Sequence, residues 1–306
     1  MSMLTNPLTE ADVAAAAAVI RPHARRTPML EAEIDGRTVL LKLEYLQRTG
    51  SFKFRGALNA LLTGPRPEHV VTASGGNHGL AVATAAALLD LPATVVVPIP
   101  TPDGKARRIE ATGAALIRTG DHYAEAAAVA TALAEQPGQR YVHAYNDPAV
   151  VAGQGTAALE VITDDPEVDA VAVAVGGGGL AAGTALALAG RMTVAVEPHN
   201  CQALANALAA GYPVSSPVQS VASSALGATA VGDLPFAVLS RRPVTSVLVS
   251  DEELLAARDR LWEEFRIAVE PAAAVTFAAW LAGRVPGRRP CLVISGANTD
   301  WTPMPG

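Results

Sequence analysis

At 306 residues the chain is long enough for two α/β subdomains or one large domain with a well-buried core. A net charge of -6 and a pI near 5.5 exclude the basic footprint that nucleic acid or an anionic membrane would demand. Cys201 and Cys291 stand apart from each other and from any metal-like Cys/His spacing, which excludes a disulfide framework and suits a reducing, cytoplasmic setting.

Hydrophobic residues make up 50% of the chain but aromatics only 4%, so alanine carries much of the core and helices should pack closely through small side chains. The opening segment MSMLTNPLTEADVAAAAAVI lacks a basic start and holds Glu10 and Asp12 beside its apolar run, which argues against a secretory signal. Thr9 is the expected N-cap of a first helix, with Asp12 at the third position. A connector then leads to a strand at 39–43 and a helix at 53–62. The Pro- and Gly-rich stretch TGPRPEH marks a boundary. From Val70 onward, strands expected at 70–73, 94–97, 115–118 and 141–143 alternate with helices at 79–89, 104–111 and 123–135, the pattern of βαβ units on a parallel sheet. After a loop, AYNDPAVVAGQGT, a second series follows: helices at 156–162, 180–189 and 201–210, with strands at 171–175 and 193–196. An irregular region at 211–240, a strand at 246–249, helices at 251–265 and 271–282 and a strand at 291–294 complete it. No apolar run reaches the length of a membrane span. The fold class expected is therefore α/β: two open twisted subdomains with a cleft between them.

Within this frame, Lys53 stands between Phe52 and Phe54. A helix start whose ammonium snorkels to water is the plain account of such a triplet. A desolvated amine, its pKa lowered for Schiff-base chemistry, is the functional one. Two strand-to-helix turns are rich in glycine: Ser74-Gly75-Gly76-Asn77-His78-Gly79 and Gly176-Gly177-Gly178-Gly179. Each places backbone N–H groups at a helix N-terminus, where they bind anions. One glycine is explained by a tight turn; four in a row point to a phosphate. Gly176, Gly178 and Ala181 also match G-x-G-x-x-A, with Glu197 about twenty residues on, so an NAD-binding oxidoreductase stands as an alternative of a different class. Ser295, after the last strand, puts a hydroxyl where open α/β sheets bind ligands.

Lys53 in G-S-F-K-x-R-G, then S-x-G-N-H, A-G-Q-G-T, G-G-G-G-L and S-G-A-N, occur in one order from Asp12 to Asn298. Together they resemble the threonine/serine dehydratase group of fold-type II pyridoxal-phosphate enzymes. The resemblance implies a tryptophan synthase beta-like fold, with a large cofactor-binding domain of residues 1–65 and 147–306 and a small domain of residues 66–146. It implies Lys53 as the Schiff-base lysine, Phe52 packing on the cofactor ring, and Gly176, Gly177, Gly178 and Gly179 holding the cofactor phosphate. Asn77 would bond the ring hydroxyl, and Ser74, Gly75, Asn77 and His78 would receive the substrate carboxylate. Ser295 would meet the pyridine nitrogen, and a neutral hydroxyl there makes a weaker electron sink that favours elimination. The implied reaction is dehydration and deamination of L-threonine and/or L-serine to 2-oxobutanoate or pyruvate and ammonia, in a homodimer.

Some departures from the group's pattern bear on the reaction. Serine racemases carry a second catalytic serine where this chain has Gly75, so dehydration without appreciable racemization is expected. Some relatives hold a cation at positions matching Glu197, Cys201 and Ala203, and Ala203 removes one carboxylate from that set. Ser224-Ala225 stand where relatives often have Asp-Gly. The chain ends at Gly306, soon after Asn298, so isoleucine feedback is not expected. Serine racemase and hydroxyaspartate dehydratase of the same fold, and a catalytically silent binding protein, are the remaining alternatives.

Overall fold

Apolar runs of two kinds, short β-branched ones and longer alanine-rich ones, build the computed structural model, which describes residues 8–301. Residues 1–7, the start of the segment read as non-secretory, lie outside the described residues. Thr9 opens helix α1 (Glu10–Ile20) as expected, its backbone N–H donating to Asp12 Oδ2 at 2.7 Å. Strands β1 (Met29–Ile34) and β2 (Arg37–Lys42) then form an antiparallel hairpin, in place of the expected connector before a single strand. Its turn is Asp35-Gly36, both at positive φ, the two-residue geometry that matches strand twist. β1 lies at the sheet edge, and its run Leu30-Glu31-Ala32-Glu33-Ile34 alternates apolar and charged residues, with Leu30, Ala32 and Ile34 against the core and the two glutamates exposed.

Helix α2 (Lys53–Leu62) leads into the first parallel series: β3 (His69–Ala73), α3 (Asn77–Leu88), β4 (Ala93–Val97), α4 (Asp103–Glu110), β5 (Ala115–Arg118), α5 (Tyr123–Ala134) and β6 (Gln139–Tyr141). Its four strands lie in the order β5-β4-β3-β6, all parallel. β6 stops two residues short of expectation because His143 Nδ1 accepts the backbone N–H groups of Tyr145 and Asn146, turning the chain out of the sheet.

The segment read as a loop is largely the first half of helix α6 (Pro148–Asp164). Asp147 Oδ1 caps it by accepting the Ala149 and Val150 N–H groups, and Pro148 suits the first position. Gly153 and Gly155, which suggested a loop, instead let helices touch: a Cβ would lie 2.7 Å from the Arg55 carbonyl oxygen at the first and 2.5 Å from that of Gly183 at the second.

The second series continues with β7 (Ala170–Ala174), α7 (Gly179–Ala187), β8 (Met192–Pro198), α8 (Ala203–Ala210), the short helices α9 (Ser223–Leu226) and α10 (Asp233–Leu239), β9 (Val244–Val249), α11 (Asp251–Phe265), α12 (Pro271–Leu281) and β10 (Pro290–Val293). The sheet order is β1-β2-β10-β7-β8-β9, parallel except for the β1–β2 hairpin. Buried strands such as β7, AVAVA, are apolar on both faces because helices cover both sides. Among the described residues no helix is long and apolar enough to cross a membrane.

A buried ion network gathers around Arg55, two residues beyond Lys53. The Arg55 guanidinium, 1% exposed, donates to both Glu44 oxygens at 2.8 Å and to the two Glu160 oxygens at 2.8 and 2.9 Å. Lys42 Nζ adds a bond to Glu160 at 2.6 Å. Burial alone would push the Glu44 carboxyl up, but Arg55 and Lys42, with the Thr27 hydroxyl, hold it below the usual carboxylate range. Two cations and two carboxylates balance, so the cluster fixes the first turn of α2 without leaving a stranded charge. Arg55→Ala removes that balance; the free energy of unfolding is expected to fall by about 3–5 kcal/mol, read as a lower urea midpoint. An unchanged midpoint would mean that the network adds no net stability.

Candidate active site

The carboxyl ends of β3, β4, β7 and β10 face one another across a cavity of about 660 Å³, the place where open α/β sheets bind ligands. Phe52, Lys53, Ser74, Gly75, Asn77, His78, Gly176, Gly177, Gly178, Gly179 and Ser295 all line it, so eleven positions singled out in the sequence share one site.

Lys53 is the first residue of α2. Its segment is stitched to the turn after β10: Phe52 N–H donates to the Ser295 carbonyl at 3.1 Å, and Ala297 N–H to the Gly50 carbonyl at 2.9 Å. Lys53 Nζ donates to the Ala144 carbonyl at 3.0 Å, lies 5.3 Å from the centroid of the Phe52 ring, and has no carboxylate within 4.0 Å among the described residues. Burial without a counter-charge lowers its pKa to about 8. The ammonium thus faces the cavity rather than snorkelling to open water, which is the environment the functional account of the Phe-Lys-Phe triplet asks for.

Opposite the lysine, the tetraglycine turn opens α7. Gly178 has φ of +92°, and a Cβ there would sit 2.8 Å from Val231 Cγ2. At Gly177 a Cβ would lie 2.2 Å from Cδ1 of Tyr145, whose ring lies against the turn. Two of the four glycines are thus required by conformation or contact, and the N–H groups at the start of a nine-residue helix are left facing the cavity.

The second glycine turn starts α3. Ser74 Oγ accepts the Gly76 N–H at 3.2 Å, shaping the turn. At Gly75 a Cβ would meet Thr101 Cγ2 at 2.7 Å, so Thr101 fills the space a side chain would need. His78 turns its Nε2–H to the Val142 carbonyl at 2.9 Å, and burial, with the Lys53 charge, pushes it down to about 3. Its imidazole is neutral and committed to the fold; what the turn offers a ligand is backbone N–H.

Glu197 stands outside this site. Its two oxygens accept the Leu204 and Ala205 N–H groups at 2.8 and 2.9 Å, capping α8, and burial pushes it up to about 7. That cap also explains why α8 starts at Ala203 rather than at 201. The carboxylate that the dinucleotide alternative needs for a ribose is thus already occupied. Among the described residues no group of three or more His, Cys, Asp or Glu could hold a metal ion.

Several cavity residues escaped the sequence reading. Glu270, the N-cap of α12, is 7% exposed, accepts Asn77 Nδ2 at 2.6 Å, and burial pushes it up to about 7. Tyr145 and the Ala144 carbonyl complete the phosphate and lysine walls. Nothing in a run such as AVEPAAAV separates Glu270 from a surface carboxylate; only its position before Pro271, a helix start, could have drawn notice.

The site fits a phosphorylated pyridine aldehyde. It joins a desolvated amine, a glycine cradle that added methyl groups would close, and a hydroxyl at the end of β10, in a cavity within the usual ~300–1,000 Å³ range for such ligands. Comparison with known proteins agrees. Human serine racemase is 37% identical over 314 residues, covering 95% of this chain and 92% of that protein. An L-threonine ammonia-lyase of Thermotoga maritima is 36% identical over 277 residues, covering 88% and 69%. The crystal structure of a T.th. threonine deaminase superimposes with a TM-score of 0.90 at 35% identity, covering 97% of this chain and all of that one. Residues 20–296 match the family described as pyridoxal-phosphate dependent enzyme, and with the lysine, the phosphate cradle and the two sheets in place, the chain belongs to that family, in its fold-type II group.

Proposed function

We propose that this protein is an ammonia-lyase that dehydrates and deaminates L-threonine and/or L-serine. The observation that carries the reading is Lys53: an uncompensated amine with a pKa of about 8, placed between one glycine turn suited to phosphate and another suited to carboxylate. Residues 66–146 form the small domain and supply the carboxylate turn; residues 1–65 and 147–306 form the large domain and hold the cofactor. The enzyme acts as a cytoplasmic homodimer.

Pyridoxal phosphate, when bound, supplies the electron sink that accepts the pair left by a departing α proton. Gly176 to Gly179 would hold its phosphate with backbone N–H groups and the N-terminal dipole of α7. Asn77 would donate to its ring oxygen, Ser295 would meet its ring nitrogen, and Phe52 would pack on the ring. The N–H groups that open α3 receive the substrate carboxylate, which fixes the α carbon against Lys53. Lys53 Nζ takes the α proton; its lowered pKa makes it a competent base near neutrality, and the Ala144 carbonyl holds it in place. The β-hydroxyl would leave as water with the proton that Lys53 took, and hydrolysis of the resulting enamine would give the 2-oxo acid and ammonium.

Gly75 has no hydroxyl to deliver a proton to the opposite face, and this favours the lyase over the racemase. One observation favours the second reading, serine racemase: Thr101 brings its Oγ1 to 3.0 Å from the point where a Gly75 Cβ would stand. The two readings separate on the product from L-serine, pyruvate for a lyase and D-serine for a racemase.

Purified protein loaded with pyridoxal phosphate is expected to show a visible absorption band that shifts with L-threonine as 2-oxobutanoate appears. Lys53→Ala is expected to lose both the threonine-responsive band and at least about 10³-fold in turnover. A variant that keeps turnover would remove the lysine from its role. Cofactor capture by the apoprotein is expected to speed up as pH rises through about 8, because only the neutral amine attacks a carbonyl. Stopped-flow absorbance on both sides of that pH checks it, and a rate independent of pH would contradict it.

A further inference from the structure

The side chain of Asn77 is held at both ends by groups from the other side of the cleft. Its Nδ2 donates to Glu270 Oε1 at 2.6 Å, and its Oδ1 accepts from Asn298 Nδ2, also at 2.6 Å. Asn298 Nδ2 donates as well to the Thr49 carbonyl at 2.9 Å, and Asn298 Oδ1 accepts from Arg108. Asn77 and Arg108 open or lie on helices of the four-stranded sheet, α3 and α4; Glu270 caps α12 and Asn298 follows β10, both on the six-stranded sheet. All three bonds of this chain, Arg108 to Asn298 to Asn77 to Glu270, therefore cross between the sheets.

The direction of the chain is not free. Arg108 can only donate and an ionised Glu270 can only accept, so with the Thr49 carbonyl fixing Asn298 each amide has a single orientation. Asn77 must then point its nitrogen at Glu270, and one N–H of that nitrogen remains for the cavity. The four side chains help to line a niche of about 20 Å³ beside the main cavity, room for about one water.

Resting on the lyase reading above, we propose that Glu270 and Asn298 are positioning residues that lock the Asn77 amide, nitrogen toward the cavity, only when the two sheets are closed on the cleft. Cleft closure and the grip on the cofactor's ring oxygen are then a single event.

The charge state of Glu270 governs the lock. Burial pushes its pKa up to about 7, opposed by the Asn77 bond and by the charges of Lys105 and Arg108 on α4. Lys53 of α2 also lines the main cavity, His78 of α3 is neutral, and α9 and the turn after β10 contribute uncharged groups. Below about 7 the protonated carboxyl can donate, and the amide loses its fixed direction. The same shift has a stability consequence. Between its ordinary 4.5 and its folded value of about 7, the native state binds the proton more tightly than the unfolded chain, so stability falls as pH rises through that window.

The test uses holoenzyme: wild type, Glu270→Gln and Asn298→Ala, each followed by the pH dependence of the bound cofactor's visible band and by kcat and KM for L-threonine. A wild type without a visible band or without 2-oxobutanoate would overturn the lyase reading itself. With a coloured, active wild type, an inflection in band and kcat near pH 7 is expected, kcat falling on the acid side, and Glu270→Gln is expected to lack it. Asn298→Ala is expected to lose about tenfold in kcat while cofactor affinity changes less than about threefold. Unchanged inflections in Glu270→Gln, or unchanged kcat in Asn298→Ala, overturn the proposal. Thermal unfolding of the apoproteins reads the carboxylate without turnover: Glu270→Gln is expected to melt above wild type at about pH 8 and level with it near pH 4. Equal melting at both pH values overturns the role of the ionised carboxylate.

Discussion

Two backbone hydrogen bonds hold Lys53 at the cleft between the two sheets. Phe52 N–H on the Ser295 carbonyl and Ala297 N–H on the Gly50 carbonyl fix the start of α2 to the end of β10. The body of the same helix packs into the core of the four-stranded sheet, where Phe54, Leu58 and Leu61 join Val70 and Val95. α2 therefore belongs to both halves of the molecule. Its first residue faces the cleft because its backbone is tied to one half and its apolar face to the other.

Desolvating an amine lowers its pKa only if neighbouring carboxylates leave it alone, and the chain sets the two kinds of lysine eleven positions apart. Lys42, fully buried, has Glu160 at 2.6 Å; Lys53 has a neutral carbonyl at 3.0 Å. The first belongs to a balanced ion cluster in which each charge has a partner of opposite sign. The second has only burial acting on it, so its charged form is disfavoured. Arg55, two residues on, absorbs the carboxylates of Glu44 and Glu160, which would otherwise hold a nearby ammonium in its charged form.

On the proposed reading, the choice between lyase and racemase turns on what the loops after β3 and β4 present to the opposite face of a substrate. Gly75 has no side chain, and Thr101 occupies the space beside it, so the loop after the neighbouring strand decides what that wall presents. The relatives include both threonine ammonia-lyases and serine racemases at similar identity. A distinction made by one or two side chains on a common scaffold is invisible to overall likeness.

The helix at 53–62 and the four parallel strands of the first series were legible in order because their periods are strong and their flanking turns hold glycine or proline. Strand β1 went unread although Leu30-Glu31-Ala32-Glu33-Ile34 alternates apolar and charged residues, and α6 was not legible, since Gly153 and Gly155 read as breakers until close contact with α2 and α7 accounts for them. Lys53, the tetraglycine turn and Ser295 could be named from sequence, each being a local motif whose chemistry follows from residue type. Glu270, Tyr145 and the bond between Asn77 and Asn298 could not. These are contacts between residues 193, 32 and 221 positions apart, and each acquires meaning only when two sheets meet. The sequence by itself determined the order of the parallel strands of the first series, the amine between two phenylalanines and the tetraglycine turn. The tertiary structure alone decided that the amine is left without a counter-charge and that a buried carboxylate shares its cavity, because burial and pairing are properties of the packed interior and not of any local run of residues.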